Sequence, residues 1–393
     1  MKSFQELMMK HIHKHQLFEA GDLVLVGCSG GIDSMALLHF LNSKKDELGI
    51  SVGAVHVDHM LRGEESGRDR LFTEATAEEW GVECFSRAIP IPEIWKEKGG
   101  NKQQLCRSER YAYFLEVMEQ TGADKFATAH HADDQLETIL MSGLRGNLQD
   151  GSFGIQASRP FGSGFLIRPQ LAVTKEQIAD YIELHKISYR EDSSNREAAY
   201  TRNRLRQRVL PLLKKENSNV SQNFVELAED MQQDQQFLQE LAKTKLQQLI
   251  QIKEDGIILS AKSFRLEAYA LQKRMVLLLL NYLYNQKQVP VTRQLVGQMQ
   301  EMMQSSAGTV FFTFAAKLCS DPTIRHGFPQ SPIAGKNGRN SPCKHYHGLV
   351  ADLLWLPLQS AAVQPIGKSG RCCNLAFSRT GRFTVLFKEQ KTG

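Results

Sequence analysis

A doubly wound parallel α/β sheet, followed by a smaller helical domain and an irregular C-terminal tail, is the fold class this sequence predicts. Three observations lead there. Short apolar runs alternate with stretches of helical periodicity over about the first 150 residues, the pattern of successive β–α units. After Pro211 the strand signals give way to long amphipathic stretches. From about Phe314 neither period persists for long.

Leu23-Val24-Leu25-Val26 is a short apolar run that stops at Gly27, and apolar residues at helical spacing follow from Asp33 to Leu41. This predicts strand, turn, helix. The alternation repeats with a strand over Ser51 to Val57, a helix over Glu64 to Trp80, a strand over Val82 to Phe85 and a helix over Gln103 to Glu119. Lys125 to Ala129 and Ala132 to Leu144 add one more strand and helix. Sheets of this kind bind ligands beyond the carboxyl ends of their strands. Asn223 to Ile252 predicts one long amphipathic helix, with Phe224, Leu227, Met231, Leu238 and Leu241 along a stripe. Helical signal returns over Leu266 to Tyr284 and Val291 to Gln304. The expected domains are 1–212, 213–312 and 313–393.

Composition narrows the class. A hydrophobic fraction of 41% and a charged fraction of 23% exclude wholesale disorder and fibrous architectures. The longest apolar run, Met275 to Leu280, ends at Asn281 and is far shorter than the roughly 20 residues that span a bilayer. Lys2, Glu6, Lys10, His13 and Lys14 interrupt the N-terminal apolar residues, unlike a secretory signal. The expectation is a cytoplasmic protein with no membrane association. Seven cysteines, among which adjacent Cys372 and Cys373 are too close for zinc spacing, point to reduced thiols. The net charge is +5, but from Lys317 onward 11 Lys and Arg face only 3 Asp and Glu. The remainder is slightly acidic, so only local basic clusters can argue for RNA.

The strongest chemical signal is Ser29-Gly30-Gly31-Ile32-Asp33-Ser34, set after the first strand and opening a helix. Glycines admit an anion close to the backbone, and free N–H groups at a helix N-terminus stabilise phosphate charge. Asp33 reads either as a helix N-cap or as a magnesium contact. No Gly-Lys-Ser/Thr follows, so this is not a Walker A loop. Val55-His56-Val57-Asp58-His59-Met60-Leu61-Arg62-Gly63 closes the second strand. Ala127-Thr128-Ala129-His130-His131-Ala132-Asp133-Asp134-Gln135-Leu136-Glu137-Thr138 closes the fourth strand and starts its helix.

Ser29 to Ser34 matches the SGGxDS signature of the PP-loop ATP pyrophosphatases. With the two strand-end segments it resembles the tRNA(Ile)-lysidine synthetase family within them. The resemblance continues through Arg107, Arg110 and Tyr111, through Ile167-Arg168-Pro169, through Tyr189 to Asn195 and through Tyr200 to Arg206, covering roughly residues 22 to 225. Ser142 stands where an Arg is common, and Asn147 to Asp150 lacks a Gly often seen there.

The resemblance implies ATP and Mg2+ as cofactors, and L-lysine and a CAU-anticodon tRNA(Ile) as partners. It implies that ATP is held by Ser29, Gly30, Gly31, Ile32, Asp33, Ser34, His56, Asp58 and His59, with Asp33 on magnesium. The C2 oxygen of the wobble cytidine is adenylated, and the lysine side-chain amine then displaces AMP. That amine is protonated near neutrality and needs a base. Asp134 and Glu137, at i, i+3 on one helix face, suit that task. Arg110, with Arg107, suits the lysine carboxylate or a phosphate, and Asp33, Arg110, Asp134 and Glu137 form the expected catalytic set. Arg62, Arg202, Arg204, Arg206 and Arg208 are expected to contact tRNA or phosphate, the last four as two i, i+4 pairs on one helix. A homodimer is left open. Competing readings are another PP-loop tRNA-modifying or amide-forming enzyme, and an inactive relative; no CxxC pair for sulfur chemistry is visible.

The tail from about Phe314 holds half of the twelve prolines and four of the seven cysteines. One reading is a basic, partly disordered RNA-assisting tail. Another is a slipped reading frame, because back-translating Lys317 to Gln330 and moving one base yields a β-strand pattern closer to a C-terminal tRNA-gripping domain. On this second reading, residues 1 to about 310 are expected to fold as a catalytic and helical unit while the tail adds little stability.

Overall fold

The computed structural model describes residues 3–146, 153–190, 201–253, 256–259, 261–283, 293–304, 311–315, 376–377 and 382–386. Two compact units divide the chain, Met1–Gln235 and Gln236–Gly393. The first begins with α1 (Phe4–Lys14), β1 (Leu23–Gly27), α2 (Ile32–Leu48), β2 (Ser51–Asp58), α3 (Glu64–Glu79) and β3 (Glu83–Ala88). It continues with α4 (Ile91–Lys98), α5 (Lys102–Thr121), β4 (Lys125–Ala127), α6 (Ala132–Arg145), β5 (Ser158–Phe161), β6 (Gly164–Ile167) and α7 (Lys175–Leu184). Then come α8 (Thr201–Arg204), α9 (Leu210–Glu216) and α10 (Val220–Leu249).

The predicted doubly wound sheet is present, with strand order β3-β2-β1-β4-β6-β5. All neighbours pair in parallel except β5, which runs antiparallel to β6. Its central strand β1 is nearly continuously apolar because both faces are covered, and Val24, Leu25 and Val26 are fully buried. One face packs with α1, α2 and α7 through Phe4, Met35, Leu38, Phe40 and Ile178. The other packs with α4 and α5 through Ile91, Phe114, Met118 and Phe126. The chain turns to β2 on one side of β1 and returns to β4 on the other, so the carboxyl ends of β1 and β4 lie side by side. Such a reversal leaves a crevice at the strand ends, the position where ligands of open α/β sheets bind.

Several elements escaped the sequence reading. The β5–β6 hairpin and α7 follow β4 where only a short motif was marked, and α7 is announced by a capping box of Thr174 with Gln177. Between α8 and α9, residues Leu205–Val209 form a π turn rather than continuing the expected α-helix. Pro211 cannot donate to the Gln207 carbonyl and its ring crowds that group, which the wider turn accommodates. The long helix ends at Leu249 instead of Ile252, and β7 (Ile250–Lys253) pairs antiparallel with β8 (Gly256–Leu259). Ile250 and Ile252 are β-branched and alternate, which favours a strand there.

In the second unit, α11 (Ala261–Leu266), α12 (Tyr269–Leu283) and α13 (Arg293–Gln304) build a helical core with the end of α10. Phe264, Met275, Val276, Leu280 and Met299 are its centre. The helical domain expected over 213–312 therefore has its core here, while the first unit runs on to Gln235. In the expected irregular tail, β9 (Phe311–Ala315), β10 (Ala376–Phe377) and β11 (Arg382–Leu386) form an antiparallel sheet with β11 in the middle. These strands were not marked in the sequence, where each run is five residues or fewer. The segment 317–330 on which the frame-slip reading rested lies outside the described residues, as do 191–200 and 147–150. Among the described residues no helix is long and apolar enough to cross a membrane.

A buried carboxylate joins four helices of the first unit. Asp133, in the first turn of α6, accepts bonds from Lys214 Nζ at 2.8 Å, from Ser221 Oγ and from the Lys175 backbone N–H at 3.4 Å. Burial alone would raise its pKa, but the Lys214 and Ser221 bonds outweigh it and hold the group below 3.8. Its contribution to stability is therefore complete above that value and is lost as pH falls through the folded-state pKa. Asp133→Ala is expected to lower the unfolding free energy by about 3 kcal/mol, since it leaves Lys214 and Ser221 without their buried partner. Urea denaturation at neutral pH followed by circular dichroism measures this, and an unchanged midpoint would contradict it.

Candidate active site

At the carboxyl end of β1 the chain enters the glycine-rich turn and then α2. Gly30 has φ +80°, and a Cβ there would meet Thr73 Oγ1 at 3.1 Å, so the turn requires glycine for both reasons. Ser34 ties the turn together. Its Oγ donates to the Gly31 carbonyl at 3.0 Å and accepts from the Ser29 N–H at 3.1 Å. The N-cap of α2 is Gly31, and no side chain caps it. The reading of Asp33 as N-cap is corrected accordingly: it is the second helical residue, and its carboxylate meets Lys175 Nζ instead. Without a side-chain cap, the first N–H groups of α2 are presented to an anion at the positive end of the helix dipole.

The end of β2 supports this turn from beneath. His56 is buried and donates from Nδ1 to the Cys28 carbonyl at 2.9 Å, while burial keeps its pKa below the ordinary value. The ring is therefore neutral, with Nδ1 protonated, and it shapes the loop backbone rather than facing solvent. Asp58 is buried and accepts the Met60 N–H at 2.7 Å. Arg190 donates its backbone N–H to the Gly30 carbonyl at 2.9 Å, and its side chain reaches Asp69. Arg62, expected on phosphate or tRNA, pairs with Glu65 at 2.7 Å and with Asp69 at 2.9 Å along α3.

From the adjacent end of β4, α6 brings Asp134 and Glu137. Asp134 Oδ2 accepts the His131 N–H at 3.1 Å, which pins it at the helix start. Arg202 donates Nε to Glu137 at 2.7 Å and Nη2 to Asp134 at 2.8 Å. Arg206 reaches the same two carboxylates at 2.6 and 3.1 Å. The i, i+4 spacing of Arg202 and Arg206 did place them on one face, but that face meets carboxylates. Arg202 and Arg206, expected on phosphate or tRNA, and Asp134 and Glu137, expected at the lysine amine, pair with one another here and neutralise their charges. The cause is burial, since Glu137 is 0% exposed and Asp134 8%, and such charges require partners. Burial would raise the pKa of Asp134, but neighbouring His131 and Arg202 outweigh it and hold it at about 2. Arg206 also lies close enough to Asp33 to feel its charge, which sets this network beside the turn.

Arg204 and Arg208 point elsewhere. Both are exposed, and Arg204 bonds Thr201 Oγ1 at 3.0 Å. A second set of cations was only partly legible in the sequence. Burial lowers the pKa of Arg110, and burial with repulsion from Arg159 and Arg107 brings Arg168 to about 10. Arg110 in turn helps to hold half-buried His59 at about pKa 4, after desolvation itself, and His130 is kept at about 4 by desolvation. Among the described residues, Arg107, Arg110, Arg159 and Arg168 have no carboxylate partner. Both ring nitrogens of His59, Nδ1 of His131 and Nε of Arg168 are buried without a hydrogen-bond partner. A wall of unpaired cations and unfilled polar groups is arranged for an anionic, hydrogen-bonding ligand. Lys175, Arg159 and Arg190 were missed as site residues; only the Thr174-to-Gln177 capping pattern could have signalled Lys175.

The donor set suits ATP with magnesium. Mg2+ binds through one or two carboxylates together with phosphates and waters, and Asp33 is a half-buried carboxylate beside the uncapped helix N-terminus. Lys175 Nζ pairs with that carboxylate.

Comparison with known proteins agrees with this geometry. Residues 2–213 match the model of the PP-loop domain family. A curated tRNA(Ile)-lysidine synthase of Bacillus cereus is 41% identical over 286 residues, 72% of this chain and 60% of that protein. One from Bacillus subtilis is 41% identical over 285 residues, 72% of this chain and 59% of the relative. The chain thus spans about 60% of the length of the curated relatives it matches. Among solved structures, the U34-tRNA thiolase NcsA of Methanococcus maripaludis with its [4Fe-4S] cluster superposes with a TM-score of 0.50 at 18% identity. That match covers 58% of this chain and 78% of the thiolase, and it speaks for the fold alone. With its six-stranded sheet, its uncapped glycine-rich turn and a match over more than half its length, the chain belongs to the PP-loop domain family.

Proposed function

We propose that this chain ligates L-lysine to C2 of the wobble cytidine of a CAU-anticodon tRNA(Ile), consuming ATP and passing through an adenylated tRNA. The observation that carries the reading is the uncapped turn Ser29–Ser34 set beside a buried carboxylate pair and a wall of unpaired arginines. The names of the similar curated proteins support the same activity.

The turn and the first N–H groups of α2 receive the pyrophosphate portion of ATP; Asp33 would hold magnesium, which would supply charge neutralisation there. Lys175 and Arg206, both beside Asp33, add positive charge where the transition state spreads negative charge. The cytidine oxygen attacks the α-phosphate. Arg110 and Arg168, unpaired and shielded from water, hold a phosphate or the lysine carboxylate more strongly than exposed arginines would. When the lysine ammonium arrives, it competes with Arg202 and Arg206 for Asp134 and Glu137. Glu137, rather than Asp134 with its strongly depressed pKa, then takes the proton, freeing the amine to displace AMP.

The overall reading is tested by AMP release from purified protein. Release that requires both free lysine and CAU-anticodon tRNA is the expected outcome; ATP use without either, or none with both, would contradict it. Arg206→Ala is expected to slow tRNA adenylation by about a hundredfold, as loss of one charge-stabilising donor does. Adenylation at the wild-type rate would remove Arg206 from the phosphate site. Glu137→Gln separates the two steps: the KM for lysine should rise about tenfold or more, with adenylation less affected. An unchanged lysine KM and rate would take Glu137 out of the lysine site.

A further inference from the structure

The N-terminal helix carries a group that the reaction does not use. His11 and His15 are four residues apart, so they share one face at the end of α1, whereas His13 falls on the opposite, exposed face. The shared face meets Glu229 of α10, within the same compact unit. His15 Nε2 is 2.7 Å from Glu229 Oε1 and His11 Nδ1 is 3.9 Å from the same oxygen. One ligand atom from each of the three residues lies within 4.8 Å of the others. His11 is 3% exposed, and Nδ1 is the ring nitrogen it turns toward Glu229.

We propose that His11, His15 and Glu229 form a binding site for a divalent transition metal of the zinc class, with its fourth position open to the adjoining cavity. Three arguments support this. Zinc bonds of about 2.0–2.2 Å in a tetrahedron separate neighbouring ligand atoms by about 3.4 Å, and the observed 2.7 and 3.9 Å bracket that value. Two imidazoles and one carboxylate also select zinc-class metals over magnesium or calcium, which prefer all-oxygen sets. Lys14 Nζ binds the other oxygen, Glu229 Oε2, at 2.6 Å, orienting the carboxylate so that Oε1 faces the rings. The positive charge of Lys14 also weakens the attraction for a cation, so the metal is exchangeable.

A cavity of about 350 Å³ adjoins the cluster, lined by His11 and Glu229 together with Leu7, Lys10, Asn219 and Gln222. It leaves room for water or a small anion at the fourth position, as in zinc sites that are not closed. None of the three ligands belongs to the site at the strand ends. The metal joins α1 to α10 and pins the N-terminal helix, in place of a simple His15–Glu229 hydrogen bond.

The test uses the full-length chain after chelator treatment, titrated with zinc chloride alone in a calorimeter, and with Co2+ as a spectroscopic probe. Wild type is expected to take up one equivalent of zinc more than His15→Ala; zinc captured by thiols elsewhere is common to both and cancels. Co2+ should give visible absorption bands of low coordination number that His15→Ala loses and His13→Ala keeps. Glu229→Gln should weaken the site at least about tenfold. His15 is partly exposed, so its variant is expected to fold, and a thermal melt of each variant confirms it. Equal zinc uptake by wild type and a folded His15→Ala, or identical Co2+ spectra, would overturn the proposal.

Discussion

Two carboxylates sit in the first two turns of one helix, buried to 8% and 0%, and much of the first unit is organised around keeping them charged. Removing carboxylates from water costs several kcal/mol each unless partners recover it. Here the partners come from a segment more than sixty residues later, where Arg202 and Arg206 each bridge Asp134 and Glu137. The neighbouring Asp133 repeats the arrangement with Lys214 and Ser221. Three carboxylates in the first two turns of α6 thus recruit α8, α9 and the start of α10. The π turn lets Arg206 and the hydrophobic Leu205 and Leu210 both meet α6 despite Pro211.

The electrostatics of the site follow from this division of labour. Near the glycine-rich turn, positive side chains are matched by Asp33, Asp134 and Glu137, so the region is close to neutral before any ligand binds. Further along, Arg107, Arg110, Arg159 and Arg168 have no carboxylate partner among the described residues, and the neighbouring His59 and His130 are held neutral by burial. A field of unpaired cations bordering a compensated carboxylate pair suits a substrate with both an anionic and a cationic group. A free amino acid with a basic side chain has that character, and so does a phosphate-bearing chain approached by an amine.

How much was legible beforehand differs by element. The strand, turn and helix around residues 23–48 were readable because an apolar run, glycines and helical periodicity occur consecutively, and each is a local property of the chain. The switch in strand order was not readable, because it depends on which strands pair across more than a hundred residues. The same holds for Lys175, which is unremarkable in sequence and reaches Asp33 across 142 positions.

The sequence by itself determined the class of sheet, the anion-binding turn and the list of charged residues available for chemistry. Backbone conformation at Gly30, helix periodicity and strand hydrophobicity act over a few residues, so a linear reading captures them. Only the tertiary structure decided how those charges are used. It paired Arg202 and Arg206 with buried carboxylates and set His56 beneath the loop, on the Cys28 carbonyl. It also left Arg110 and Arg168 unpaired. The physical reason is that a charged group's role is set by its burial and its nearest counter-charge. Both quantities arise from packing between segments far apart in the chain.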